Sequence, residues 1–78
     1  MEYSYVLIRC DSGMKNAVVA HLRKIHGITE INDSEGAYDI LVKVESTTKD
    51  HLRAIIRRKI QKTRFVQSIL RLDHSKKI

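Results

Sequence analysis

The sequence has 78 residues, a formal net charge of +6 and a single cysteine, Cys10. This length allows one domain with a modest core, one cysteine excludes an internal disulfide, and no apolar run is long enough to span a membrane. Because the sequence shows no leader and no metal-ligand spacing, we expect residues 1–78 to form one cytoplasmic domain that holds no metal or cofactor and gains stability by self-association.

Residues 3–10 form the first predicted strand, because they are rich in β-branched and aromatic residues. The predicted inward side chains are those of Val6, Ile8 and Cys10, and the predicted outward ones are those of Tyr5, Leu7 and Arg9.

Residues 14–26 form the first predicted helix. Its apolar residues recur at helical spacing, at Met14, Val18, Leu22 and Ile25. Asp11 or Ser12 is the expected N-cap, and Gly27 is expected to end the helix in a left-handed conformation.

Two strands joined by a turn follow this helix. Residues 28–35 predict a short strand in which Ile28 and Ile31 fall on opposite faces, and Gly36 supplies the turn. Residues 38–45 predict the clearest strand of the chain. Its inward residues are Ile40, Val42 and Val44, and its outward residues include Asp39, Leu41 and Lys43.

The second predicted helix begins after a cap at Ser46 or Thr47 and has a buried stripe of Leu52, Ile55, Ile56 and Ile60. Lys59 falls inside this apolar arc, so its ammonium group must extend towards water. Residues 64–73 predict the last strand. Its inward residues are Val66, Leu70 and Leu72, and its outward residues are Phe65, Ile69 and Arg71.

The resulting order, β-α-β-β-α-β, predicts an α+β ferredoxin-like fold: an antiparallel four-stranded sheet with both helices on one face. The other face, which we call the open face, stays uncovered. Its predicted residues are apolar at Tyr5, Leu7, Leu41 and Ile69 and basic at Arg9, Lys43 and Arg71. Because an exposed apolar patch of this kind marks an interface, we expect two subunits to pair face to face as a dimeric α/β barrel.

The predicted hairpin turn carries the residues Gly36, Ala37, Tyr38 and Asp39, which resemble the G-x-Y-D turn of the Lrp/AsnC family's effector-binding domain, also called the RAM domain. The resemblance extends to the first strand at residues 5–8, to Gly27 and Ile28 at the exit of the first helix, and to the second helix at residues 48–60.

This resemblance implies a regulatory module that binds effectors, usually amino acids, between dimers near the turn. The implied ligand-binding residues are Gly36, Ala37, Tyr38, Asp39 and Ser68. Backbone amides at Gly36 would approach a carboxylate, Tyr38 would shape the pocket, and Asp39 would fix the turn or receive an ammonium group. Ser68 stands in the last strand, where the family often carries threonines.

The resemblance also implies partners. We expect homodimers that assemble further, from tetramers to decamers, and co-assembly with full-length Lrp/AsnC regulators. The family's helix-turn-helix is not in this sequence, so the chain looks like a stand-alone form, and neither direct DNA binding nor membrane contact is expected.

Two alternatives remain open. The second helix carries a basic cluster, and the net charge permits a nucleic-acid-binding module that uses it. The cluster consists of Arg53, Arg57, Arg58, Lys62 and Arg64. Against this alternative, the third strand shows Ile40, Val42 and Val44 where an RNA-recognition domain would display aromatic residues. The other alternative, an enzyme of the dimeric α/β-barrel type, needs polar or metal-binding groups in its cavity. The sequence supplies none, and catalysis is not expected.

Overall fold

In a computed structural model of the chain, which describes residues 1–72, four strands and two helices follow one another in the predicted order. The elements are β1 (Glu2–Cys10), α1 (Lys15–Leu22), β2 (Ile28–Asp33), β3 (Ile40–Ser46), α2 (Lys49–Ala54) with a π-helical continuation (Ile55–Ile60), and β4 (Val66–Leu72). The strands form one antiparallel sheet in the order β2-β3-β1-β4. The predicted ferredoxin-like fold is therefore confirmed. No helix in the described part of the chain is long and apolar enough to cross a membrane.

The two central strands, β1 and β3, follow the predicted alternation without interruption. They pair from Glu2 opposite Ser46 to Ile8 opposite Ile40 in a continuous register. Every second residue of each strand is buried under the helices. The core joins these residues to the apolar stripes of the helices: Val6, Ile8, Cys10, Val18, Leu22, Ile40, Val42, Val44, Leu52, Ile55, Ile56 and Ile60.

The edge strand β2 contains one extra residue. Ile28 opposes Val44 and Glu30 opposes Lys43, so Thr29 is inserted between them as a bulge. The insertion turns both isoleucines of the strand, Ile28 and Ile31, towards the core, where both pack. The prediction that these two residues lie on opposite faces is therefore wrong.

The other edge strand, β4, also contains one extra residue. Arg9 opposes Ser68 and Cys10 opposes Val66, so Gln67 is inserted between the two pairs. Because side chains alternate with a period of two, one inserted residue moves every later side chain to the opposite face. The prediction assumed strict alternation along this strand, so it is correct for Val66 and reversed beyond the bulge. It is also wrong for Phe65, which was predicted to be outward but packs against the core.

This reversal changes the predicted composition of the open face. Ile69 and Arg71 lie on the helix-covered face, opposite buried residues of β1, and Ile69 packs against the core. Leu70 and Leu72, predicted to be inward, lie on the open face and are 45% and 40% exposed. Placing Ile69 and Arg71 in the open-face interface was therefore wrong, and the two leucines take their positions.

β4 begins two residues later than predicted because Phe65 departs from extended geometry. Its φ of +72° lies in the left-handed region, which a bulky residue rarely adopts. The Phe65 carbonyl accepts a hydrogen bond from the Asp11 amide at 2.8 Å, which joins the turn after β1 to the start of β4. The predicted last residue of this strand, Asp73, lies outside the described residues.

The helix caps also differ from the prediction. The N-cap of α1 is Met14, which makes no side-chain capping bond, so neither Asp11 nor Ser12 caps the helix. The N-cap of α2 is Thr48, one residue beyond the predicted Thr47, and its hydroxyl accepts a hydrogen bond from the His51 amide at 3.1 Å.

The second helix changes from α- to π-helical geometry at Ile55. The Gln61 amide donates to the Ile56 carbonyl, five residues back, at 2.9 Å. This wider turn brings residues five apart onto one face, so Ile55 and Ile60 are both buried while Lys59 is exposed. The exposure of Lys59 agrees with the expectation that its ammonium group reaches water, although that expectation assumed α-helical spacing.

Candidate functional site

The turn at residues 36–39, which we call the 36–39 turn, is held to the end of β1 by Asp39. The Asp39 amide donates to the Ile8 carbonyl at 2.9 Å, and the Asp39 Oδ2 atom accepts from the Cys10 amide at 2.8 Å. The Asp39 carbonyl closes the loop by accepting from the Ser34 amide at 3.1 Å. The carboxylate thus replaces a backbone acceptor where the β1–β3 ladder stops.

The remaining turn residues face solvent to different degrees. Gly36 and Ala37 are exposed, and Tyr38 is half-buried. Gly36 has a φ of +84°, and a Cβ atom at this position would meet nothing within 4 Å. Its backbone is therefore open to approach from outside the subunit.

Ser68 lies at the same end of the sheet as the 36–39 turn, but β1 separates them. Ser68 opposes Arg9 across the β1–β4 pair, whereas Asp39 contacts the next residue of β1, Cys10. Arg9 and Ser68 are both exposed and lie on the open face. One subunit therefore places the predicted ligand-binding residues at one end of the sheet as two neighbouring groups.

Cys10 is buried beside the Asp39 carboxylate and is a poor nucleophile. Burial raises the pKa of its thiol, and the negative charge of Asp39 raises it further. The thiol therefore stays protonated at neutral pH. Among residues 1–72, no group of three His, Cys, Asp or Glu side chains is placed to hold a metal ion.

Substituting Asp39 by alanine is expected to lower the free energy of unfolding by about 1–3 kcal/mol, because the Cys10 amide then loses its acceptor at a buried position. Asp39→Asn keeps an acceptor oxygen and is expected to change stability by less than about 1 kcal/mol. Urea denaturation of both variants measures the difference. Equal stability of the two would show that the Cys10 contact contributes nothing.

Three leucines form a continuous apolar row across the open face. Leu7 of β1 opposes Leu41 of β3 on one side and Leu70 of β4 on the other. Leu7 and Leu41 are half-buried, and Leu70 is exposed. The row therefore crosses three of the four strands and leaves apolar side chains uncovered in a single subunit.

A second row beside the leucines is partly aromatic and carries a lysine. Tyr5 opposes Lys43 on one side and Leu72 on the other. The Lys43 Nζ atom lies 4.7 Å from the ring centroid of Tyr3 and 5.9 Å from that of Tyr5. It also lies 3.6 Å from a carboxylate oxygen of Glu45. These contacts hold the charged end of Lys43 within its own subunit.

The structure adds three large side chains to the predicted open face, those of Tyr3, Leu70 and Leu72. The position of Tyr3 on the open face could have been predicted from the sequence, since Tyr3 lies two residues before Tyr5 on the same strand. The two leucines were not, because the inserted Gln67 leaves no periodic signal of its own.

Comparison with known proteins gives consistent results at the level of sequence and fold. The sequence profile described as the Lrp/AsnC ligand binding domain matches residues 4–70. The solved structures that are similar to this chain include two of the same family. FFRP-DM1 is 28% identical with a TM-score of 0.87, and the match covers 92% of this chain and 96% of that one. AsnC of E. coli is 27% identical with a TM-score of 0.83, and the match covers 90% of this chain and 48% of that one.

A curated relative comes from a different kind of protein. Homocitrate synthase of Saccharolobus solfataricus is 36% identical over 66 residues, which are 83% of this chain and 14% of the relative. The chain thus spans a small part of that relative's length.

Proposed function

This chain belongs to the Lrp/AsnC ligand-binding domain family, and on that premise we propose that the 36–39 turn binds an amino-acid effector and that the open face joins two subunits. The family and the similar structures make the chain a regulatory, effector-binding module. The observation that carries the more specific proposal is the turn itself, where an accessible glycine backbone lies three residues from an anchored carboxylate.

The carboxylate and ammonium groups of an α-amino acid are complementary to the first and last residues of this turn, Gly36 and Asp39. The left-handed backbone at Gly36 leaves room for a carboxylate to approach amide groups directly. Asp39 uses Oδ2 for the Cys10 amide, and its negative charge and second oxygen would receive an ammonium group. Tyr38, half-buried between them, would bound the side-chain pocket.

A second subunit would cover the open face, and assembly of dimers would complete this site. In a two-fold dimer the same patch meets itself, so the leucine row of one subunit would pack against that of the other. Dimers would then assemble further, towards tetramers or decamers, and bring the 36–39 turns of neighbouring dimers together with Ser68.

The same surface offers a route to regulatory partners. A full-length Lrp/AsnC regulator with a matching sheet face would form mixed dimers with this chain. The segment shared with homocitrate synthase covers too little of that relative to bring an enzymatic activity with it, and it supports the use of the domain as a regulatory unit attached to different proteins.

Titration calorimetry and thermal shift with a panel of the common amino acids test effector binding. We expect at least one amino acid to bind, and to stabilise the protein by about 2.7 kcal/mol when present at 100 times its Kd. Asp39→Asn keeps the hydrogen bond to Cys10 but removes the charge, so we expect it to weaken that binding tenfold or more while the unfolding midpoint without ligand stays close to wild type.

The controls separate the effector from the fold. Asp33→Asn removes a carboxylate from an exposed ion pair with Lys15 and should leave ligand affinity unchanged. If no amino acid binds at millimolar concentration, the effector proposal is wrong while the fold stands. If Asp39→Asn and Asp33→Asn bind equally well, Asp39 does not contact the ammonium group.

A further inference from the structure

The excess positive charge of this chain is confined to one stretch. Residues 51–72 contain seven of the fifteen basic residues and no aspartate or glutamate. The rest of the chain, with eight basic and nine acidic residues, has a net charge of −1. An ordinary solvated surface carries charges of both signs, since like charges placed close together repel one another and destabilise the compact state.

The second helix and the turn after it gather much of this charge into one surface. Arg53 lies one turn before Arg57 in this helix, and Lys62 follows two residues after the helix ends at Ile60. With Arg58 they line an open concavity of about 830 Å³ on the outer side of the helix.

We call these four residues, Arg53, Arg57, Arg58 and Lys62, the basic face. All four side chains are exposed, and none of them forms an ion pair with any residue of 1–72. Asp50 borders the same concavity, but its carboxylate lies beyond ion-pair distance of all four. The basic face therefore presents four cationic groups that are not neutralised within the described part of the subunit.

We propose that the basic face binds the phosphate backbone of a double-stranded nucleic acid without reading its sequence. Guanidinium groups bind phosphate oxygens in a bidentate geometry. Contacts to phosphate position a protein on a nucleic acid without specifying bases. From Arg53 to its end at Ile60 the helix rises about 10 Å, which matches about three base pairs of a duplex at roughly 3.4 Å each, and Lys62 follows two residues later.

The composition of the basic face favours a duplex over other polyanions. The concavity is completed by Ala54 and Gln61 and contains no aromatic side chain, whereas single strands are bound by stacking on aromatic rings. It also lacks the large apolar anchors at the centre of protein interfaces. Because the face points away from the sheet, pairing through the open face would leave it accessible.

Fluorescence anisotropy with a labelled duplex of mixed sequence, about two helical turns long, tests this proposal at salt concentrations between about 50 and 200 mM. Four phosphate contacts predict a slope of about −3.6 in a plot of log K against log salt concentration. Arg57→Gln/Arg58→Gln should reduce the slope to about −1.8 and weaken binding at least tenfold at the lower salt concentration.

A matched control distinguishes the basic face from total charge. Arg23→Gln/Lys24→Gln also removes two exposed cations, but near the end of α1, and it should leave slope and affinity close to wild type. Equal losses in the two double variants would overturn the proposal, as would absence of duplex binding at low salt. If the Arg57/Arg58 variant fails to fold, Arg53→Gln and Lys62→Gln should each reduce the slope by about one.

Two further probes identify the class of partner. Duplex DNA and duplex RNA in parallel titrations distinguish the two sources of the same phosphate chemistry, and tight binding of either supports the proposal. Polyglutamate carries a similar charge density without phosphates. If polyglutamate displaces the duplex at equal charge concentration, the partner is an acidic polypeptide and the proposal is wrong.

Discussion

Substituting Ile69 by aspartate is expected to unfold most of the domain, whereas the same substitution at the next residue, Leu70, is expected to leave the subunit folded and monomeric. Ile69 is half-buried against the core on the helix-covered side of β4, and a carboxylate there would lose the apolar contacts and be partly desolvated without a partner. We expect a loss of about 3 kcal/mol or more, which is a large part of the stability of so small a domain.

Leu70 is 45% exposed at the edge of the leucine row on the open face. An aspartate at this position stays solvated in the monomer but would be buried in the proposed two-fold interface, where its charge disfavours association. Light scattering should therefore report a monomer for Leu70→Asp and a dimer for wild type. The thermal midpoint of Leu70→Asp should no longer depend on protein concentration.

Together, the Ile69→Asp and Leu70→Asp variants test the bulge at Gln67 as well as the proposed interface. Strict alternation along β4 would predict the opposite result for each variant. Circular dichroism separates the outcomes: we expect the thermal midpoint of Ile69→Asp to fall by about 10 °C or more. If Ile69→Asp were folded and monomeric while Leu70→Asp unfolded, the register of β4 would be wrong. If both variants were folded dimers, the interface would lie elsewhere.

The central strands of this fold could be predicted from the sequence, and the edge strands only in part. β1 and β3 pair on both sides, so their side chains must follow the period of the ladder, and their alternation shows directly in the residues. β2 and β4 pair on one side only and tolerate an inserted residue. Neither Thr29 nor Gln67 differs in type from a regular strand residue, so the sequence contained no signal of either insertion.

The second helix shows the same kind of limit. Its existence and buried stripe followed from the spacing of Leu52, Ile55 and Ile56, but the shift to π-helical geometry did not. Only the position of Lys59 conflicted with a regular helix, and a long basic side chain gave a plausible alternative explanation.

At the candidate site, the position of the 36–39 turn was predictable but the role of its last residue was not. The resemblance suggested that Asp39 fixes the turn or receives an ammonium group, without saying how it would fix the turn, and the structure shows its carboxylate bound to the amide of Cys10. A backbone amide leaves no pattern in the side chains, and this one lies 29 residues away. The contact therefore appears only once the strands are paired.

Gly27→Ala is expected to be the most damaging of the glycine substitutions, with a loss of about 3 kcal/mol or more. Gly27 has a φ of +109°, which an alanine adopts only with strain of about 1–2 kcal/mol. A Cβ atom there would also lie 2.8 Å from the Ile55 Cδ1 atom and 3.2 Å from the Glu45 carbonyl oxygen. The backbone cannot shift easily, because the Gly27 carbonyl accepts a 2.8 Å hydrogen bond from the Glu45 amide.

Gly13→Ala is the matched control, because it isolates the backbone strain from the steric conflict. Gly13 has a φ of +79°, and a Cβ atom at that position would meet nothing within 4 Å. Its substitution should therefore destabilise by the strain alone, about 1–2 kcal/mol, while Gly27→Ala adds an overpacking cost of about 1–3 kcal/mol against the buried Ile55. Urea denaturation of both variants gives the difference between the two losses. Equal losses would mean that the Ile55 side chain gives way without cost and that the helix–sheet contact at Gly27 is looser than the structure indicates.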